Sequence, residues 1–218
     1  TYIRETMSIE RKPFVLELMP NTGSSMVFIG CSKCGKSTLM KHIYKTYFSK
    51  SIPLFFTLNS HTEIYKDMGS KVITYDEFKP DILRATHAIN SAHNNKFPFL
   101  IICDDIVGSK MKHNEQITKL LTVYRNTGID CIMSVQDHTL LNTVGRNNAN
   151  YIVIFKQQTN KRWLTIVEEF LQGWFPLGTK KEEIVRYCIE VTKDHSFFFI
   201  DNLNNTICIC KLSKEQIE

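Results

Sequence analysis

The 218-residue chain has no apolar run near the ~20 residues that a membrane-crossing helix requires, so no integral membrane segment is expected. Its first twelve residues, TYIRETMSIERK, lack the apolar core of a secretion signal, and the protein is not expected to be secreted. The first residue is Thr rather than Met, which leaves open whether that end is trimmed. Internal repeats and low-complexity tracts are absent, which argues against a repeat array. There is no acidic excess: the net charge of +5 is a modest basic surplus that permits nucleic-acid contact without demonstrating it. Seven scattered cysteines, an odd number, do not make a disulfide framework; they suggest reduced thiols in a cytosol-like compartment. With 43% hydrophobic and 22% charged residues, the composition is that of one globular domain with a real core.

Two of the nine glycines frame one loop, GCSKCGKST, which runs from Gly30 through Cys31, Ser32, Lys33, Cys34, Gly35, Lys36 and Ser37 to Thr38. The spacing is G-x-x-x-x-G-K-[ST]. Glycines let the backbone turn tightly and aim several N–H groups into one concavity, which suits phosphate oxygens. The apolar run MVFI precedes the loop, and TLMKHIYKTYF follows with Leu39, Met40, Ile43 and Tyr47 at helical spacing. The loop therefore opens a helix, where free N–H groups and the helix dipole favour an anion. Lys36 is placed to reach the outer phosphates of a nucleoside triphosphate, and the Ser37 hydroxyl to ligate Mg²⁺. Cys31 and Cys34 also form a C-x-x-C, but no second one follows. His42, on the helix beyond, and Cys103, in an expected strand, are poorly placed to complete a zinc site. Two small side chains in variable loop positions is the reading kept.

Strands are expected at Phe14–Leu18, at SMVFIG, at Ile52–Leu58, at Lys71–Tyr75 and at Phe97–Asp105, then at Asp130–Gln136 and Asn150–Lys156. Helices are expected from the loop to about Ser49, over KPDILRATHAINSAHNN with Pro80 in its first turn, and over NEQITKLLTVYRNTG, closed by Gly128. Apolar strands alternating with helices indicate an α/β fold with a mainly parallel sheet covered on both faces. The last third is less regular, with a helix over TKKEEIVRYCIEVTK and a hairpin over SFFFIDNLNNTICICKL that turns at NLNN. Trp163, Trp174 and Phe175 are read as core rather than as a platform for DNA bases. Cys208 and Cys210 share a strand face and are read as packed thiols. One domain, 1–218, is expected: an N-terminal strand and turn over 1–24, a nucleotide-binding core over 25–156, and a C-terminal helix and hairpin over 157–218.

Ligands of such sheets bind beyond the C-terminal strand ends. There LIICDD ends in two carboxylates. Asp104 falls where the Mg²⁺ hydration shell would lie, and Asp105 can polarise water for attack on the γ-phosphate. Gln136, ending CIMSVQ, can contact that phosphate or the water. Arg146, in TVGRNNANYIVIF, precedes the next strand; an arginine reaching a neighbouring subunit's γ-phosphate would complete the site, with Arg125 of YRNTG as the rival. A small-molecule or nucleoside kinase would use the same loop, and so would a nucleotide-dependent assembly switch with little turnover. The paired acids and the strand-end Gln favour hydrolysis.

The ordered set GCSKCGKST, FLIICDD, YRNTGIDCIMSVQ and GRNNANYIVIFK resembles the FtsK–HerA branch of P-loop ATPases, above all the genome-packaging ATPases of poxvirus-type large DNA viruses and virophages. The resemblance covers about Phe14 to Lys156. It implies an ATP- and Mg²⁺-dependent motor with a RecA-like core. Asp104 would help hold Mg²⁺, Asp105 would act as base, Gln136 would sense the γ-phosphate, and Arg146 would be the arginine finger. Many relatives carry Glu where this chain has Asp105. The implied partners are double-stranded DNA, a homo-oligomeric ring (pentamer or hexamer) and capsid or vertex proteins. The implied setting is the virion or the viral factory in the host cytoplasm.

Overall fold

The computed structural model describes residues 9–18, 22–58, 73–106, 114–213 and 216. A central sheet of eight described strands organises the chain: β1 (Ser25–Ile29), β2 (Ile52–Thr57), β3 (Ile73–Tyr75), β4 (Phe99–Asp104), β5 (Asp130–Val135), β6 (Tyr151–Ile154), β7 (Phe197–Asp201) and β8 (Thr206–Cys210). The order across the sheet is β3-β2-β4-β5-β1-β6-β7-β8. Pairs from β3 through to β6 are parallel, whereas β6–β7 and β7–β8 are antiparallel. The helices are α1 (Lys36–Tyr47), α2 (Pro80–Ala92), α3 (Glu115–Thr122), α4 (Thr143–Asn147), α5 (Asn160–Ile166) and α6 (Lys181–Val191).

Each face of the sheet has its own core, because successive strand side chains point to opposite sides. Met26 and Phe28 of β1 pack with Phe55, Ile102 and Ile132 beneath Leu39, Met40 and Ile43 of α1. Val27 and Ile29 pack on the other side with Phe56, Ile101, Met133 and Trp163. Both faces are covered, so β1 and β4 are apolar at nearly every position rather than at alternate ones. Asp104 pairs with Ser134 of β5 and with Thr57 of β2, so the polar ends of three strands meet at one edge.

Three expectations need correction. Phe14–Leu18 alternates, with Phe14 and Leu16 buried and Val15 exposed, but it forms no ladder. Pairing stops at a single bridge, Arg11 to Ile209, because Pro13 has no N–H to donate. The segment is held instead by side chains, as where the Leu16 N–H donates to the Tyr47 hydroxyl at 3.1 Å. The helix expected to reach Gly128 ends at Thr122, and a tighter 3₁₀ turn over Tyr124–Thr127 carries the chain to Gly128 at φ 71°. The supposedly irregular stretch before Phe175 is largely helical. Thr159 caps α5 through the Arg162 N–H, and the helix continues as a π-helical turn, Val167–Leu171. Trp163, Ile166, Val167 and Leu171 are buried at helical spacing, and Trp163 is core as expected. Lys71 and Val72, the first residues of the strand expected at Lys71–Tyr75, lie outside the described residues, as does part of the expected N-terminal turn. Among the described residues no helix is long and apolar enough to cross a membrane.

Candidate active site

The loop after β1 takes its shape from two glycines with different tasks. A Cβ on Gly30 would lie 2.6 Å from Phe155 Cβ and 2.7 Å from Cys34 Sγ, so only glycine lets β6 and the loop close together. Gly35 has φ 106°, a left-handed conformation that swings the chain into α1. No side chain caps α1, and its first turn carries no acid, so no acid of the helix itself competes for its first N–H groups. Backbone bonds from Gly30 N–H to Val135 O (3.1 Å) and from Cys31 N–H to Lys156 O (3.0 Å) moor the loop to the strands on either side.

Lys36 is 5% exposed. Its Nζ donates to Gly30 O at 2.9 Å and Cys31 O at 3.1 Å, and lies 3.9 Å from Asp105 Oδ1. The cation thus bridges the loop to the strand-end acids. Ser37 Oγ donates to Asp104 Oδ2 at 3.3 Å. A hydroxyl and a carboxylate this close, at a helix start, are oxygen donors of the kind a hard divalent cation such as Mg²⁺ takes, with water or phosphate supplying the rest. Asp105 has φ 47°, uncommon for a residue other than glycine and concentrated at functional sites. Its Oδ2 accepts from Gln136 Nε2 at 3.4 Å, and its Oδ1 has no hydrogen-bond partner among the described residues. Burial, reinforced by the charge of Asp104, pushes the Asp105 carboxyl above its ordinary value; Lys36 and Gln136 pull the other way. The result is a carboxylate with raised proton affinity, one oxygen bonded by Gln136 and the other facing Lys36 without a hydrogen bond, a setting compatible with a general base.

The structure therefore brings Lys36, Ser37, Asp104, Asp105 and Gln136 together. It does not bring Arg146 to them in this arrangement. Arg146, in α4, is 8% exposed and turned into its own chain. Both Nε and Nη2 bond the Glu169 carboxylate, and Nη1 donates to Leu141 O at 2.6 Å. His138 Nε2 meets the same carboxylate at 3.1 Å. The rival, Arg125, is half-buried and donates to Asn148 O at 2.8 Å.

The C-x-x-C in the loop behaves as packing. Cys34 is buried, which pushes its thiol up to about 11 and keeps it neutral. All seven cysteines are free thiols. Among the described residues no three His, Cys, Asp or Glu side chains cluster as a metal site would require.

Sequence reasoning missed half of the cavity. The loop opens on a space of about 880 Å³ whose other walls are Phe155, Asp194, His195, Phe197, Lys211 and Leu212. Phe155 lies in the strand expected at Asn150–Lys156, but Asp194, His195, Phe197, Lys211 and Leu212 lie more than 150 positions after the loop, and no motif spacing links them to it.

The sequence profile described as Poxvirus A32 protein matches residues 11–199. No curated protein sequence is significantly similar to the chain. Among solved structures the fold is similar to the genome packaging NTPase B204 from Sulfolobus turreted icosahedral virus 2 in complex with sulfate. That match has a TM-score of 0.64 at 20% identity over 88% of this chain and 97% of that one. The same NTPase in complex with AMP matches with a TM-score of 0.62 at 22% identity, over 90% of this chain and 100% of that one. The pCW3 conjugation coupling protein TcpA matches with a TM-score of 0.60 at 13% identity, over 86% of this chain and 59% of that one. The fold is that of the P-loop ATPases, and the profile covers most of the chain: this protein belongs to the poxvirus A32 protein family.

Proposed function

We propose that this chain is an ATP-hydrolysing motor that drives double-stranded DNA into a preformed viral capsid. The family match and the names of the similar structures, which include genome packaging NTPases, support the setting. One observation carries the chemistry: Lys36, Asp105 and Gln136 converge within 4 Å contacts at the mouth of a loop shaped for phosphates.

The triphosphate lies along the loop and the start of α1. Lys36 exchanges the Gly30 and Cys31 carbonyls for phosphate oxygens. Asp105 Oδ1, free of other hydrogen bonds, accepts a proton from the attacking water as the water oxygen bonds to the γ-phosphorus. The bond from that phosphorus to the β–γ bridging oxygen breaks, and ADP leaves with the bridging oxygen. Gln136, already touching Asp105, orients the water or contacts the γ-phosphate. Ser37 and Asp104 would hold Mg²⁺, which would supply positive charge against the triphosphate. An arginine from an adjacent subunit of a ring would complete the site. Arg146 enters that role only by leaving Glu169, and Arg125 is the other candidate. The motor works on double-stranded DNA and against capsid or vertex proteins, in the viral factory or the virion.

The test is ATP turnover with and without duplex DNA, alongside oligomer size. Turnover that needs no acceptor molecule and rises with DNA supports the motor. Turnover only with a small-molecule acceptor would make the chain a kinase, and tight binding without turnover would make it a switch.

A further inference from the structure

The cavity is larger than three phosphates need. Its volume of about 880 Å³ lies within the range of sites that enclose whole cofactors, about 300–1,000 Å³. The loop and α1 account for one end. The other end comes from the turn between α6 and β7 and from the segment after β8, outside the strands that carry the phosphate chemistry.

We infer that these two C-terminal segments are the nucleoside half of the site, and that His195 is the side chain that makes the enzyme select a purine nucleoside triphosphate. The inference rests on the nucleotide reading of the loop given above. With the phosphates on the loop, the sugar and base extend into the remaining space, so the chemistry of its walls decides what is held. Phe155 and Phe197 pack against each other beneath the cavity, ring centroids 5.2 Å apart and each 1% exposed, so they back its lining rather than offer an open ring face. The exposed ring that lines the cavity is that of His195, which suits the π-face of a base, and a two-ring purine covers more of it than a pyrimidine. His195 leans over the start of α1: its Nδ1 lies 3.9 Å from where a Cβ on Gly35 would be. It is exposed to the cavity and brings an aromatic face with polar edges, which can both stack on and bond a base. Its backbone φ of 58° holds the ring there at some conformational cost. Asp194, on the same rim, would repel a triphosphate but suits the hydroxyls of a ribose. Lys211 adds a cation to the lining. Gln216 Nε2 lies 3.4 Å from His42 Nε2, which ties the segment after β8 to α1.

The experiment measures dissociation constants of ATP, CTP and inorganic tripolyphosphate for the wild-type chain, His195→Ala and His195→Asn. Asparagine tolerates the same left-handed backbone, so it removes the ring without disturbing the turn. Both variants should bind ATP roughly tenfold more weakly, a loss of the size of one base–aromatic contact. Their preference for ATP over CTP should shrink, and tripolyphosphate binding should not change. ATP affinity that survives in both variants overturns the inference. So does an equal loss for ATP and tripolyphosphate, which would place His195 on the phosphates. Wild-type protein that binds tripolyphosphate as tightly as ATP overturns the inference alone. Wild-type protein that binds neither overturns the nucleotide reading of the loop as well.

Discussion

Gln136 Nε2 lies 3.4 Å from Asp105 Oδ2, so the amide just beyond β5 touches the carboxylate just beyond β4. The parallel pairing of the two strands, with Asp104 opposite Ser134, puts these residues side by side although 31 positions separate them. One oxygen of Asp105 is held by the amide, and the other lies 3.9 Å from Lys36 Nζ.

Asp105→Asn should retain ATP binding and lose about 10²–10⁴-fold in hydrolysis, the usual cost of removing a positioned base. Asparagine tolerates the φ of 47° at this position, so the fold should be kept. The wild-type rate should also fall as pH drops through the raised Asp105 value, because a protonated carboxyl cannot accept the water's proton. Single-turnover rates across pH, with binding measured separately, check both points. Turnover near wild type would move the base elsewhere.

Lys36→Ala should weaken ATP by about a hundredfold or more, since each charge-assisted hydrogen bond contributes roughly 1.5–3 kcal/mol. The loop carbonyls of Gly30 and Cys31 would lose their donor as well. Calorimetric titration of the folded variant checks this, and an unchanged affinity contradicts the role given to Lys36.

Arg146→Ala should destabilise the fold by roughly 3 kcal/mol, because it leaves the partly buried Glu169 carboxylate only its His138 contact and takes the donor from the Leu141 carbonyl. Arg146→Lys should not restore the loss, since an ammonium cannot reproduce the two-pronged contact. Denaturant melts of both variants and of an Arg146→Met, Glu169→Leu double variant measure the coupling. A role in trans adds a second result: assembled Arg146→Ala subunits would bind ATP without hydrolysing it, and mixing with Asp105→Asn subunits would restore turnover. Wild-type stability in the Ala variant would show that the ion pair does not hold the fold.

Asp130, at the opposite end of β5, should make stability depend on pH. Burial pushes its carboxyl up to about 7, against the 2.7 Å hydrogen bond from the Ser24 N–H. The native state therefore keeps a proton that the unfolded chain releases near 4. The stability this contributes is complete below about pH 4 and is lost as pH rises toward 7, by at most about 1.4 kcal/mol per pH unit. Asp130→Asn should flatten that slope. Chemical melts at several pH values check it; identical slopes in variant and wild type would show that Asp130 ionises normally in the fold.

Local patterns carried the geometry of the loop. Gly30, Gly35, Lys36 and Ser37 are neighbours in the chain, and the geometry they impose is a property of a few residues and the helix they open. The acids Asp104 and Asp105 and the amide Gln136 were legible because strand ends in a parallel sheet converge whatever the loops between them do. The apolar runs were enough to show a sheet covered on both faces. Other features depended on contacts that no local spacing records. Pro13 cancelled a strand that alternation alone supports. Arg146 was set for a neighbour by its position, yet the chain folds Glu169 back from a helix 23 residues later and takes the guanidinium inward. His195 meets Gly35 only because β7 adds antiparallel beside β6 and returns the chain to the loop. Such pairings are decided by how sheet and helices close around the two cores, and a burial gained across 160 residues of chain leaves no periodic mark on either partner.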